Sequence, residues 1–298
     1  MGITRMNLSL GFNAGESIQD TQKRSKIVEE LGMKQIWISD LPIQRYPFIV
    51  AAAVAKVTNK IRIGLGVISP FIHNPIFISR AMAALEENYG RRFELCLGLG
   101  DRNMLSSIGI SIPKHEIAVQ LIKNAMNDIQ NNLLIRNIKM NIWLAAQGEK
   151  TIASAGDYYG VILNYGNLKY IKWAINKIDQ SKTQIGIAAP AYIYDKPEQD
   201  LLTNLKKASL TIIQGTSSKL AKTLGFWEDI KDVVKKPRRD QKSMISPELA
   251  KLFAITMPST ELPNYLEEAE KLGVDEVMFG YPQGSTIEGI RTVCKFIK

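Results

Sequence analysis

The feature that most constrains this chain is a regular alternation of two kinds of segment. Short runs of β-branched and apolar residues recur, separated by longer amphipathic stretches. Strands are expected over residues 7–12, 35–39, 61–67, 93–99, 141–146, 161–164, 184–188 and 276–280, which makes eight. Several are apolar almost throughout, as in Ile61-Arg62-Ile63-Gly64-Leu65-Gly66-Val67. Such runs are the mark of parallel strands covered on both faces. Helical patterns over 24–31 and 76–89 end at Gly32 and Gly90, each a plausible C-terminal cap. Others cover 149–155, 169–177, 199–213, 262–272 and 286–297. Eight βα units in 298 residues predict an α/β protein of the (β/α)8 TIM-barrel type. A doubly wound open sheet is the alternative, but it carries fewer strands and a phosphate fingerprint at its first turn. No linker rich in Pro, Gly or Ser divides the chain, so one domain over residues 1–298 is expected. The irregular, charged stretch around 225–246 reads as an excursion before the last βα unit.

Composition narrows the functional classes. A 45% hydrophobic content can fill a barrel-sized core, which excludes a disordered chain or a disulfide-stapled miniprotein. No apolar run approaches the roughly 18 residues of a membrane span. Residues 1–6 lack the apolar stretch of a signal peptide, and Cys96 and Cys294 lie far apart, so a cytoplasmic protein is expected. The balance of 38 basic against 29 acidic residues gives a net charge of +9. A charge of that sign suits an anionic ligand, or is simply a solvated surface. The densest run, Lys235-Lys236-Pro237-Arg238-Arg239, has no interleaved aromatics, so no nucleic-acid partner is expected. Only two histidines occur, His73 and His115, too few for a histidine-rich metal site.

In a barrel of this type the active site lies at the C-terminal ends of the strands. The residues there are Asp40, then Ser69-Pro70, Gly98-Leu99-Gly100-Asp101, Gln147-Gly148, Asn164-Tyr165-Gly166, Tyr192 with Tyr194, and Tyr281. They include no Ser/His/Asp set and no phosphate-loop lysine. Glycines, amides and a few carboxylates suit a planar cofactor that supplies the chemistry itself.

With those residues in place, the chain resembles the luciferase-like (β/α)8 barrels that bind flavin or the deazaflavin coenzyme F420. Among them it is most similar in pattern to the archaeal methylenetetrahydromethanopterin reductases. The likeness rests on Trp37-Ile38-Ser39-Asp40, Gly64-Leu65-Gly66-Val67-Ile68-Ser69-Pro70 and Leu97-Gly98-Leu99-Gly100-Asp101. Ala145-Ala146-Gln147-Gly148-Glu149-Lys150, Gly160-Val161-Ile162-Leu163-Asn164 and Met244-Ile245-Ser246-Pro247-Glu248 extend it. Each motif is weak, and their order along the chain carries the weight.

The resemblance implies a role for each position. Gly66–Val67 would form a non-prolyl cis peptide in a bulge that pads one face of the deazaflavin, with Ser69 just behind it. Gly98 and Gly100 would end the fourth strand beside the ring. Asp40 would approach the polar edge of the ring. Ala146, Gln147 and Gly148 would hold the cofactor phosphate at the start of a helix, with Asn164 adding an amide. Asp101 would lie near the transferred hydride and act as the catalytic acid. The residues alone leave other readings open: a packed strand end at Gly66, a helix cap at Asp101, a plain βα turn at Gly148. The glutamate that the reductases carry on their first strand aligns with Gly11, and Glu16 is the nearest replacement. The histidine that follows the second-strand aspartate is here Leu41. The implied activity is F420-dependent hydride transfer to a carbon electrophile, with a methylene-bridged pterin as the first choice of substrate. The implied assembly is a homo-oligomer. Two alternatives stay open: an FMN-dependent monooxygenase of the same superfamily, and a barrel that holds a cofactor without turnover.

Overall fold

A computed structural model describes residues 6–235 and 245–297. Eight parallel strands close into a barrel: β1 (Asn7–Phe12), β2 (Gln35–Ile38), β3 (Arg62–Ile68), β4 (Phe93–Leu97), β5 (Asn141–Ala146), β6 (Gly160–Leu163), β7 (Gln184–Tyr194) and a final strand, Glu276–Gly280. Neighbours run in the order β6-β5-β4-β3-β2-β1, then the final strand and β7, and β6 pairs with β7 to close the ring. The expected TIM barrel is present.

One strand departs from expectation. β7 does not stop at residue 188 but runs on to Tyr194. Its outer half, Ala191–Tyr194, pairs with an additional parallel strand, β8 (Ile255–Pro258), which makes Glu276–Gly280 strand β9. Tyr192 and Tyr194, expected beyond the strand, therefore belong to it. Their stacked rings pack with Leu201, Leu205 and Ala254, and the Tyr192 hydroxyl accepts from the Glu198 amide at 2.7 Å.

The helices also depart in places. Helix α1 (Ile18–Glu30) starts earlier than its apolar period suggests, because Ser17 caps it by accepting from the Asp20 amide at 3.0 Å. Helix α2 (Pro47–Val57) begins on a proline, and α3 (Pro75–Tyr89) is capped by Asn74 and ends at Gly90, as expected. Between β4 and β5 lie a short helix, α4 (Arg102–Ser107), and a long one, α5 (His115–Ile135), which packs against α3. Part of the supposed excursion is ordinary helix, Trp227–Lys235, with Ile230 and Val233 buried. Residues 236–244 of that stretch lie outside the described residues.

Alternate strand residues face the barrel axis, and their identities set three levels. At the N-terminal ends of the strands the level is polar: Ser9, Gln35, Arg62, Glu94, Asn141 and Glu276. Above it, Trp37 and Trp143 meet edge to face with ring centroids 6.3 Å apart. Glycines make room for them: a Cβ on Gly64 would lie 2.3 Å from the Trp37 ring, and one on Gly160 2.5 Å from the Trp143 ring. Each indole N–H points to a carboxylate below, Trp37 to Glu276 at 2.7 Å and Trp143 to Glu94 at 2.8 Å. The third level is apolar: Val67, Ala145, Ala188 and Met278 are half-buried against the tryptophan layer. The barrel is thus filled at its base by the tryptophans and the carboxylates they donate to.

Candidate active site

The mouth is built around an irregular third strand. β3 pairs Leu65 with Leu95 and then Ile68 with Leu97, so three steps on β3 oppose two on β4. The extra residue is the bulge, and the Gly66–Val67 peptide within it is cis, as the resemblance implied. Neighbouring glycines are dictated by space. A Cβ on Gly66 would lie 2.6 Å from Cys96 Cβ, and one on Gly98 would lie 2.7 Å from Val67 Cγ1 and 2.8 Å from Ala145 Cβ. Val67 and Ala145 therefore close over Gly98 as one apolar floor, with no room there for a side chain. Ser69, beside the bulge, is buried and turns inward, donating to the Leu99 carbonyl at 2.9 Å.

The residues after β4 have a local task. Gly100 has φ +78°, a left-handed turn that favours glycine. The turn delivers Asp101 to the start of α4, where its Oδ1 accepts from the Asn103 amide at 2.9 Å and the Met104 amide at 3.2 Å. That is an N-cap, which satisfies two otherwise orphaned helix donors.

After β1, Glu16 is ion-paired with Arg24, whose other guanidinium nitrogen donates to the Ser285 carbonyl at 2.7 Å. Burial raises the Glu16 pKa, the Arg24 charge opposes that rise, and Asp20 adds to it. Tyr281, after β9, is raised in turn by burial and by Glu16.

Asp40, after β2, has a partner that the sequence does not suggest. Its Oδ2 lies 2.8 Å from His73 Nε2, and the two side chains are only 5% and 12% exposed. His73 follows β3 and its amide donates to the Ser69 carbonyl at 3.0 Å. The Tyr46 and Phe48 rings stand edge-on to the imidazole at 5.5 and 6.1 Å. Burial and the Asp40 charge raise the Tyr46 pKa. The only available signal for His73 is its position, five residues past a strand end in a chain with two histidines.

The opposite side of the mouth carries the amides. Ala146 is buried at the end of β5. Gln147 does not reach outward: its Nε2 donates to the Tyr165 hydroxyl at 3.0 Å and to Thr216 Oγ1 at 3.3 Å. Its carbonyl accepts from the Tyr170 hydroxyl at 2.7 Å. Burial pushes the Tyr165 hydroxyl up to about 12, so it stays a neutral donor and acceptor. Gly148 caps the short helix Glu149–Ile152, and a Cβ there would meet open space. Asn164, just past β6, has a buried Oδ1 with no hydrogen-bond partner. A buried, unsatisfied acceptor beside an open mouth is the kind of group a ligand donor completes.

Asp40, Val67, Gly98, Gln147, Gly148 and Asn164 thus all lie at or just past the C-terminal ends of β2 to β6, at one end of the barrel. The fold turns Ser69 into the wall and gives Asp101 a capping duty.

Comparison with known proteins agrees with this architecture. The family model described as luciferase-like monooxygenase matches residues 4–116. A solved structure of coenzyme F420-dependent tetrahydromethanopterin reductase from Methanopyrus kandleri superposes with a TM-score of 0.86 at 19% identity, covering 99% of each chain. The chain shares the (β/α)8-barrel fold of that reductase. An F420-dependent secondary alcohol dehydrogenase, solved with an F420–acetone adduct, shares the fold at a TM-score of 0.69 and 14% identity, over 99% of this chain and 98% of that one. In sequence, the 5,10-methylenetetrahydromethanopterin reductase of Archaeoglobus fulgidus is 23% identical over 87% of this chain and 88% of its own. Among the described residues, no helix is long and apolar enough to cross a membrane.

Proposed function

We propose that this luciferase-like barrel is a coenzyme F420-dependent oxidoreductase that reduces a methylene-bridged pterin. The observation that carries this reading is the floor of Val67, Gly98 and Ala145 above the tryptophan plug, with the unsatisfied Asn164 Oδ1 just past the end of β6. Such a floor suits a flat tricyclic ring, and the orphaned acceptor suits a ligand hydroxyl or N–H. The sequence and structural likeness to F420-dependent reductases over almost the whole chain supports the same cofactor.

Bound there, the reduced deazaflavin supplies a hydride. The chain's own residues do the rest. Val67, Gly98 and Ala145 would pad one face of the ring and leave the other to the pterin. Holding the two rings face to face replaces a bimolecular encounter with an effectively intramolecular one. Gly148 lets backbone amides approach an anionic group closely, and Gln147, locked by Tyr165 and Thr216, keeps that turn in shape. The net charge of +9 helps draw in an acidic cofactor and an acidic pterin tail.

A homo-oligomer is part of this proposal. Ile43, Ile49 and Phe77 are 73%, 59% and 58% exposed on or beside the adjoining helices α2 and α3, which supports burial against a second copy. Two buried cysteines that are not joined to each other support a reducing, cytoplasmic setting.

The test is reduction of methylenetetrahydromethanopterin, with oxidation of reduced F420 followed by absorbance. Turnover with reduced F420 supports the proposal. Turnover only with reduced FMN and oxygen points instead to the monooxygenase chemistry.

A further inference from the structure

Reducing a methylene bridge between two nitrogens needs a proton as well as a hydride. The hydride adds to the bridging carbon, one carbon–nitrogen bond breaks with its electron pair left on nitrogen, and that nitrogen must be protonated. No residue of β1 supplies the acid, because Asn7–Phe12 contains no carboxylate. Asp40, Asp101 and Glu16 follow β2, β4 and β1, and two of the three have other engagements. Asp101 caps α4 through Oδ1, and Glu16 is ion-paired with Arg24. The third, Asp40, holds an imidazole.

We propose that His73, oriented by Asp40, is the residue that passes a proton to the pterin nitrogen, a role that rests on the function proposed above. An ionised carboxylate only accepts hydrogen bonds, so His73 Nε2 carries the proton facing Asp40 Oδ2 across 2.8 Å. That contact fixes the tautomer and leaves Nδ1 as the exchanging nitrogen. When Nδ1 is protonated as well, Asp40 stabilises the imidazolium it faces, the same division of labour as in other carboxylate–imidazole pairs. The pair is largely withdrawn from water, and the imidazole is the more exposed member at 12% against 5%. Both residues follow C-terminal strand ends, Asp40 after β2 and His73 after β3. Tyr46 and Phe48 wall the ring, and the His73 amide bond to Ser69 ties its loop to the bulged strand. In the balanced step, the hydride pair comes from the reduced deazaflavin, which ends oxidised by two electrons. The Nδ1 proton goes to the released nitrogen, and the imidazole regains a proton from solvent water, into which the deazaflavin's own proton is shed.

Two measurements test the assignment. Nitrogen NMR of the unliganded protein reads the imidazole tautomer directly, and with only two histidines in the chain the signals are simple to assign. We expect His73 as the Nε2–H tautomer, and a mixture of tautomers in Asp40→Asn. Turnover with reduced F420 and methylenetetrahydromethanopterin gives the second. His73→Gln is expected to lower kcat by roughly 10²-fold with F420 affinity within about twofold, and added imidazole to restore part of the activity of His73→Ala. Should either His73 variant fail to fold, Asp40→Asn is expected to lower kcat in the same direction. An Nδ1–H tautomer in the unmutated protein, or kcat within about threefold in His73→Gln, would overturn the assignment. If the unmutated protein shows the Nε2–H tautomer but reduces no pterin, the proposed function fails and the catalytic role with it. A working enzyme indifferent to His73→Gln sinks this assignment alone.

Discussion

The Trp37 indole nitrogen donates to Glu276 Oε1 across 2.7 Å, from above, inside the closed end of the barrel. Ser9 Oγ donates to the same oxygen at 2.6 Å. Even with two donors, burial dominates and pushes the Glu276 carboxyl up to about 7; Glu94 adds to the rise and Arg62 opposes it. The folded protein therefore holds a proton that the unfolded chain, with an ordinary glutamate near 4.5, has released.

Proton linkage sets the direction of the effect. The native state binds more protons than the unfolded state between the two pKa values, so this residue's contribution to stability falls as pH rises through that window. The loss approaches roughly 3 kcal/mol by neutral pH, since each tenfold difference in proton affinity between the two states is worth about 1.4 kcal/mol. Urea midpoints measured from pH 5 to 8 should decline, and Glu276→Gln should flatten the decline. A Glu276→Gln curve parallel to the unmutated one would mean that another group is titrating.

Gly98 and Gly148 make a matched pair. An alanine methyl at 98 would lie 2.7 Å from Val67 Cγ1, whereas one at 148 would meet nothing within 4 Å. Gly98→Ala should cost about 1–3 kcal/mol by overpacking and should disturb the ring floor. Gly148→Ala should leave stability within about 0.5 kcal/mol yet weaken F420 roughly tenfold, if backbone amides at that turn hold an anionic group. Thermal unfolding and cofactor titration of both variants check the pair. Equal loss of stability in the two would contradict the packing argument.

Asp101 separates capping from acid chemistry by a choice of substitution. Asparagine caps helices as well as aspartate does, and alanine does not. Asp101→Ala should lose about 1 kcal/mol of stability. Asp101→Asn should keep stability and, with His73 supplying the proton, keep kcat within about threefold. A hundredfold fall in Asp101→Asn would return the acid role to this carboxylate.

The barrel is legible in the sequence because its strands are nearly continuous apolar runs, a pattern that a doubly covered parallel sheet requires. β8 is not, because Ile255-Thr256-Met257-Pro258 is four residues long and ends in proline. Helix α5 escapes prediction although it is amphipathic over 21 residues, since Lys114 makes no side-chain cap at its start and its end is turned by Asn137 at φ +57° in place of the more familiar glycine. At the mouth, Gly66 and Val67 are legible as a bulge through the family likeness, because such a glycine pattern has a local meaning. The Asp40–His73 contact is not, because the pair is 33 residues apart and joins two loops that only the closed barrel brings together. Likewise Gln147 reads as a free amide until Thr216, 69 residues later, is seen to hold it. The tryptophan plug is invisible for the same reason: Trp37 and Trp143 each read as an isolated apolar residue in a strand, and only the closed ring makes them meet.

The most direct measurement of the central claim is calorimetric titration of the purified protein with oxidised F420, reduced F420 and FMN. F420 should bind with a dissociation constant in the micromolar range or tighter, roughly −8 kcal/mol or better, and FMN at least tenfold more weakly. FMN bound more tightly than F420, or neither bound at all, would contradict the account.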